Sequence, residues 1–423
     1  MKYSLKRLKN GLRVITVVLP NLASVTVTVW VRTGSRFEDK RVNGISHFLE
    51  HMVFKGGRKY KTSKEVFEKI DGLGAENNAG TSKEWTNFYI KSRAGVLDTA
   101  FDILSDVVLF PSLVGENIER ERGVILEEIA FYEDTPISKI GDIFENLMFP
   151  RQPLGWDIIG TPDNVKSISR EDFLDYRTKH YYPQNMLITV AGGVTEKKAL
   201  DLSQKYFSEF TSKKKPSDKP KKLYEQEKPK ALVKYKKTDQ AHLIIGFRGN
   251  PMGHKDRYSE AVLSTALGGG ASSRLFTEVR ERRGLAYAVS TSVSHYLDTG
   301  HLATYAGVRL KAIDEAIKVI QDEYAKIKMP AGLSKKELSK AKEYLKGHIA
   351  LSLEDTRNIN DFFGVEQILL GKNRTPAEIF TGIDKVSIED VVRVAKGIFK
   401  KNKLNLAIIG PFKSPERFTK LLA

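Results

Sequence analysis

Residues 43–57 read NGISHFLEHMVFKGG, and this stretch decides the local fold of the N-terminal part of the chain. Asn43 has the residue type of a helix N-cap and Gly56 that of a C-terminal stop, so the segment is predicted to be one helix. Its apolar residues recur at helical spacing and form a single stripe: Ile45, Phe48, Leu49, Met52 and Val53. The predicted helix is therefore amphipathic, with one face in a hydrophobic core.

Three polar side chains of this helix lie off the apolar stripe. Glu50 and His51 follow His47 by three and four residues, which puts all three on one other face. Two imidazoles one turn apart can bind a single zinc ion, and Glu50 can accept a proton from a zinc-bound water as the base of a metallopeptidase. The chain has no cysteine, so any zinc site must be built from His, Asp and Glu.

A catalytic zinc ion needs a third protein ligand, and residues 116–132 (ENIERERGVILEEIAFY) are the best source of one. Glu121 and Glu128 are seven residues apart on this predicted helix and share a face, so one can bind zinc while the other orients a ligand. Glu127 is turned about 100° from Glu128 around the helix axis. Spacing alone leaves the choice among these carboxylates open.

The length of 423 residues exceeds what one ordinary hydrophobic core supports, so two domains are expected. Residues 213–231 are dominated by Lys, Pro, Ser and Glu and are predicted to be a linker. The predicted domains are a catalytic domain over residues 1–212 and a homologous, substrate-contacting domain over residues 232–423.

Both halves mix alternating strands with helical segments, which indicates an α+β fold. The strands include residues 24–32 and 286–295, and each half later carries an apolar strand that ends on glycine, at Gly192 and Gly410. We predict two homologous domains, each a mostly antiparallel sheet with helices packed on one face.

Residues 47–56 (HFLEHMVFKG) resemble the pitrilysin/insulinase family of zinc peptidases, in which HxxEH reverses the commoner HExxH order. The similarity extends over essentially the whole chain and is greatest to the processing-peptidase branch of that family. It implies that the distal zinc ligand follows a glutamate by seven residues in a pattern like ERxVIxxE. By this resemblance Glu128 is the third ligand, with His47 and His51, and Glu121 is the supporting acid.

The resemblance also implies residues that contact the substrate. Asn78, Ala79 and Thr81 match a segment along which substrate backbone is added as an extra strand, a mode that tolerates many sequences. In the second half, residues 268–290 match another long signature of the family. Arg280 and Tyr287 there match a pair that contacts substrate and stabilises the tetrahedral intermediate.

These features predict a zinc endopeptidase with one Zn²⁺ per chain, which hydrolyses unfolded peptides or presequence-like segments inside a closed chamber. By the resemblance, relatives with four such domains in one chain enclose their substrate. A two-domain chain would reach the same arrangement by pairing, so a homodimer, or a pair with a related two-domain subunit, is expected. The alternative is a non-catalytic core or assembly subunit of the same fold, which the intact HxxEH disfavours.

Charge and hydropathy predict the remaining partners and the location. The chain has a formal charge of +17, and its lysine clusters lie in the predicted linker without interleaved aromatic residues, so no specific nucleic-acid partner is expected. No apolar run approaches the ~20 residues of a membrane span, and the N-terminus leaves no room for a signal sequence before residues 12–19. A bacterial or archaeal cytoplasmic location is therefore expected rather than the mitochondrial matrix.

Overall fold

The computed structural model describes residues 1–212 and 225–422, which divide into two compact units. Within the described residues, the first unit comprises Met1–Ala130, residues 156–212 and Ala350–Pro376, and the second comprises Phe131–Gly155, residues 225–349 and residues 377–422. Each unit thus includes one segment from the opposite half of the sequence. Residues 213–224 of the predicted linker lie outside the described residues.

The strands of the described residues form one six-stranded and one five-stranded sheet. They are β1 (Ser4–Arg7), β2 (Arg13–Val18), β3 (Ser24–Val31), β4 (Glu76–Thr81), β5 (Thr86–Arg93), β6 (Met186–Gly192), β7 (Lys230–Tyr235), β8 (Gln240–Gly249), β9 (Ala286–His295), β10 (Gly300–Arg309) and β11 (Asn405–Gly410). The first two residues of β7 fall inside the predicted linker of residues 213–231.

The α-helices of the described residues lie between and after these strands. They are α1 (Ile45–Val53), α2 (Ser63–Gly72), α3 (Leu97–Leu109), α4 (Gly115–Asp134), α5 (Pro136–Met148), α6 (Pro162–Ser167), α7 (Arg170–His180), α8 (Glu196–Phe207), α9 (Arg257–Gly268), α10 (Ile313–Lys326), α11 (Lys335–Ser352), α12 (Thr356–Leu370), α13 (Pro376–Asp384), α14 (Ile388–Ile398) and α15 (Glu416–Leu422).

The two sheets repeat one topology. The first has the order β1-β2-β6-β3-β5-β4 and the second β7-β11-β8-β10-β9. Each contains one parallel pair, β2 with β6 and β7 with β11, and its other pairs are antiparallel. The predicted α+β fold with two mostly antiparallel, homologous domains is confirmed.

Strand β3 shows how the alternation of its residues builds the first unit. Its valines point into the main hydrophobic core with α1 and α3, whereas its intervening residues point toward α12. There, Asn360 Nδ2 donates to Thr26 O at 2.9 Å and to Thr28 Oγ1 at 3.1 Å, and Gly364 packs against the Trp30 ring. The second face of the sheet is therefore covered by a polar helix contact, a layer that the alternation alone did not predict.

Helix α5 occupies the corresponding place in the second unit. It packs on β7, β8 and β11. Its apolar residues, Ile140, Phe144 and Met148 among them, form a separate core cluster with residues of β10 and β11. Both sheets are thus covered by a helix contributed from the other half of the sequence. Among the described residues, no helix is both long and apolar enough to span a membrane.

Candidate metal centre

Helix α1 begins one residue later than predicted, because Asn43 is not its N-cap. The N-cap is Gly44, at φ +100°, where a side chain would meet Ile159 O at 2.6 Å. A carboxylate from upstream replaces the missing cap: Glu38 accepts from Gly44 N and Ser46 N, both at 2.8 Å. Asn43 instead donates its side-chain amide to Glu38 at 2.9 Å. A buried acid thus satisfies two N–H groups that the helix itself leaves free.

The described residues contain one group of three potential metal ligands, and it consists of His47, His51 and Glu128. Their ligand atoms all lie within 4.8 Å of one another. Oε2 of Glu128 is 3.7 Å from His47 Nε2 and 3.5 Å from His51 Nε2. Helix α1 therefore presents two imidazoles to a carboxylate of α4 in the first unit.

The donor atoms of these groups suit a zinc ion, which takes imidazole nitrogen and carboxylate oxygen and leaves a position for water. Burial, with the nearby charge of His51, lowers the pKa of His47 to about 4, so this imidazole is neutral at neutral pH. Burial raises the pKa of Glu128, but the hydrogen bond from His51 and the charges of His47 and His51 together outweigh burial and leave the pKa below its usual value. Two nitrogens and one anionic oxygen converge, and this donor set fits zinc.

Behind His51, a second acid completes a hydrogen-bonded chain. His51 Nδ1 lies 3.3 Å from Glu121 Oε2, and the other Glu121 oxygen is 2.6 Å from Lys55 Nζ. A carboxylate on the far nitrogen of a ligating histidine fixes its tautomer and orientation. Lys55 was missed as a site residue, although its position four residues after His51, in the turn that follows α1, is a signal for it.

Residue spacing left open which glutamate of α4 reaches the histidines, and the burial of these side chains in the structure answers this question. Glu127 is exposed, whereas Glu128 is half-buried beside the histidines and Glu121 is buried. Ile125 lies on the buried side of α4 and holds the helix against the core. The glutamate singled out by the family resemblance is the one that reaches the histidines.

Glu50 lies on the same helix and contacts the edge of the sheet. Its Oε2 accepts a hydrogen bond from Thr81 Oγ1 at 2.5 Å. Burial raises the pKa of Glu50, while the Thr81 hydrogen bond and the charge of His51 act in the opposite direction. The carboxylate therefore lies close enough to His51 to interact with its charge, and it does not belong to the group of ligand atoms.

The predicted substrate segment forms β4, the last strand of the first sheet. It pairs with β5 along one edge, and no other strand of the described residues covers its second edge. Asn78 is exposed and its Oδ1 accepts from Ala79 N at 2.8 Å, while Ala79 is half-buried against the core. The backbone of this strand is therefore available beside the histidine helix.

Arg280 and Tyr287 lie together in the second unit. Arg280 sits in a π-helical turn, Phe276–Glu281, and Tyr287 is near the start of β9. The guanidinium carbon of Arg280 is 4.8 Å from the Phe276 ring centroid and 5.1 Å from that of Tyr287, within cation–π range. The Tyr287 side chain is 77% exposed. An accessible cation and phenol donor are thus presented as a pair.

An HxxEH helix facing a carboxylate from a second helix, in an α+β domain with an open edge strand, is the arrangement of a metal-dependent peptidase. Residues 13–161 match the family described as insulinase (peptidase family M16), and residues 167–345 match the peptidase M16 inactive domain. The protein named "Uncharacterized zinc protease YmxG" of Bacillus subtilis is 36% identical over 403 residues, covering 95% of this chain and 97% of that protein. A Streptomyces coelicolor zinc protease is 34% identical over 97% of this chain and 90% of its own length.

A solved structure of a Helicobacter pylori protease superimposes with a TM-score of 0.91 at 25% identity, covering 97% of this chain and 99% of that one. A chain of the Candida albicans complex III dimer has a TM-score of 0.86 at 18% identity, covering 99% of each chain, and shares the fold. The chain belongs to the insulinase (M16) family, and the resemblance and the predicted zinc protease activity are confirmed at this level.

Proposed function

We propose that this zinc protease is an endopeptidase for extended, unfolded peptides or presequence-like segments, with its zinc ion held by His47, His51 and Glu128. The observation that carries the proposal is the convergence of the ligand atoms of these three side chains within 4.8 Å of one another, where the helix of the two histidines also carries Glu50 next to His51. One zinc ion per chain follows from the single group of ligands among the described residues. Glu121 acts from behind His51 as the orienting acid.

A zinc ion bound there supplies Lewis-acid polarisation of the scissile carbonyl and activation of water. Glu50 is the general base: it takes a proton from the attacking water and delivers it to the leaving amine. Two features support this role. Burial raises its pKa toward the range where a base is effective, and it is adjacent in sequence to a ligand on the same helix face.

Substrate binding is proposed along β4, where the backbone of Asn78, Ala79 and Thr81 pairs with an extended peptide. The support is the edge position of β4 and its location next to α1. Main-chain pairing gives affinity without reading side chains, so the enzyme accepts varied sequences in extended form and excludes folded proteins. Arg280 and Tyr287 contact the substrate and stabilise the oxyanion of the tetrahedral intermediate, as a cation and a phenol donor can.

The proposed assembly is a homodimer, or a pair with a related two-domain subunit, that completes a closed chamber. The domains proposed for this assembly are residues 1–212 and 232–423. The proposed location is the cytoplasm of a bacterium, and the bacterial sources of the relatives support the bacterial origin. Light scattering coupled to size-exclusion chromatography measures the mass directly. A monomer that cleaves peptides at the rate of the unfractionated enzyme would contradict the pairing.

The test of the function is peptide hydrolysis with and without a zinc chelator, on wild type, Glu50→Gln and Glu127→Gln, with zinc content measured in parallel. Glu50→Gln is expected to retain zinc and lose about 10²–10⁴-fold in kcat, the range of general acid–base catalysis. Glu127→Gln removes the exposed carboxylate next to Glu128 and is the matched control, with wild-type kinetics expected.

Two results would reject the proposal. A zinc-loaded Glu50→Gln variant that cleaves at the wild-type rate would exclude Glu50 as the base. A zinc-loaded wild type that is inactive on diverse unfolded peptides would favour the alternative of a non-catalytic core or assembly subunit of the same fold.

A further inference from the structure

We infer that Thr81 is a positioning residue for the general base, in addition to lying on the substrate strand. The inference rests on the proposed function of Glu50. Its basis is one contact: the Thr81 hydroxyl donates a hydrogen bond to Glu50 Oε2. This contact ties the edge strand to the helix that carries both histidine ligands.

The side-chain alternation of β4 determines which residue makes this contact. Successive strand side chains point to opposite faces, so Asn77, Ala79 and Thr81 share the face toward α1. Ala79 packs against the hydrophobic core, and Thr81 follows it at the position that reaches Glu50. Thr81 is half-buried and its backbone pairs with Thr86 of β5, so its hydroxyl is carried by a strand fixed on its inner edge.

The hydrogen bond has two physical consequences for Glu50. It occupies one carboxylate oxygen and leaves the other to accept a proton. It also holds the carboxylate toward the sheet, so that Glu50 stays outside the ligand group formed by His47, His51 and Glu128. A free glutamate side chain in this place would lose the fixed direction that a general base needs, because reaction rates depend steeply on the placement of reacting groups.

The hydrogen bond also joins substrate binding to the base. A peptide that pairs with the open edge of β4 orders the strand on which Thr81 lies. Substrate binding is therefore expected to fix Glu50 at the time when a proton must be moved. A residue that only bound substrate backbone would need no side-chain hydroxyl at this position.

Thr81→Val tests this inference because it removes the donor and keeps the β-branched shape that suits a strand. The expected result is a fall in kcat of about 100-fold, with KM within about twofold of wild type and unchanged zinc content. Thr81→Ser keeps the hydroxyl and is expected to restore most of kcat. Thr86→Val is the control for lost stability, because it removes a buried hydroxyl that donates to Thr33 O at 2.9 Å without touching Glu50.

A second readout does not depend on turnover. The visible spectrum of the cobalt(II)-substituted protein is measured without substrate for wild type, Thr81→Val, Glu50→Gln and the double variant. Thr81→Val is expected to shift the spectrum, and the double variant to match Glu50→Gln, because the shift arises from a released Glu50 carboxylate. Thr86→Val is expected to leave the wild-type spectrum unchanged.

The outcomes separate this inference from the proposed function. An active wild type whose Thr81→Val variant raises KM and keeps both kcat and the cobalt spectrum would overturn the positioning role and leave the peptidase intact. An inactive wild type with a spectrum that depends on Thr81 through Glu50 would reject the peptidase and retain the contact. A wild type that binds neither zinc nor cobalt would reject both.

Discussion

Replacing Glu121 by glutamine is expected to weaken zinc binding about 10- to 100-fold, the usual cost of losing an outer partner of a metal-ligating histidine. The carboxylate is buried, with 8% of its side chain exposed, and lies 3.3 Å from His51 Nδ1 and 2.6 Å from Lys55 Nζ. The amide removes the negative charge that stabilises the proton on His51 Nδ1, and it leaves Lys55 without its counter-charge. The expected loss corresponds to about 1.4–2.8 kcal/mol of binding free energy.

The assay is a competition titration of zinc against a chromophoric chelator, at fixed pH and salt, on wild type, Glu121→Gln and Glu127→Gln. Glu127→Gln makes the same chemical change six residues further along α4, at an exposed site, and is expected to keep the wild-type Kd. Lys55→Met is expected to lie between these two, because Lys55 reaches the histidine only through Glu121. A zinc Kd for folded Glu121→Gln within twofold of wild type would refute the outer-shell role.

Three further predictions concern the stability of the two units. Gly364→Ala would place a Cβ 2.4 Å from the Trp30 ring in the buried contact of α12 with the first sheet, so a loss of about 1–3 kcal/mol in unfolding free energy is expected in denaturant titration. At Gly347 of α11 an added Cβ would meet no atom within 4 Å, so Gly347→Ala is expected to raise the unfolding free energy by about 0.5–1 kcal/mol. A denaturant midpoint below that of wild type would contradict this prediction. Burial raises the pKa of Glu260 to about 7 despite its hydrogen bonds from Asn250, so between pH 4.5 and 7 the native state binds more protons than the unfolded state. The contribution of Glu260 to the unfolding free energy therefore falls by up to roughly 3 kcal/mol as the pH rises through this range. When the denaturant midpoint is measured against pH, Glu260→Gln is expected to show a smaller fall than wild type.

Local patterns of the sequence were sufficient to predict most of the secondary structure near the site. The apolar stripe of residues 45–53 predicted α1 because a period of 3.6 residues marks a helix with one buried face. The apolar strand predicted to end at Gly192 does so, as β6 (Met186–Gly192), and the strand predicted at residues 286–295 has those bounds in the structure. The start of α1 was predicted wrongly. Its cap is the carboxylate of Glu38, a contact between side chain and backbone that no spacing rule for Asn43 anticipates.

The residue pattern also predicted that only one face of the first sheet is buried, whereas both faces are covered by helices. Strand β3 alternates valine with Thr26, Thr28 and Trp30, which reads as one buried and one solvated face. Those three residues are buried under α12, where Asn360 donates to Thr26 O and Thr28 Oγ1 and the Thr26 hydroxyl bonds that of Thr356. The Trp30 indole N–H donates to Thr189 Oγ1 of β6. A polar residue on a strand therefore does not tell whether that face contacts water or a helix that forms hydrogen bonds with it. Here the helix begins 330 residues after Thr26 in the chain.

The sequence by itself determined that His47, Glu50 and His51 share one helix face, that thiolate ligands are impossible, and which reaction such a set can catalyse. These properties depend on residue type and on the fixed geometry of a helix, which are local. Residue spacing left Glu127 and Glu128 open and the family resemblance favoured Glu128, but only the tertiary structure shows that Glu128 reaches the histidines and that Thr81 donates a hydrogen bond to Glu50. Those contacts join α1 to α4 and to β4, and their distances follow from how separate elements pack, which residue spacing along the chain does not specify.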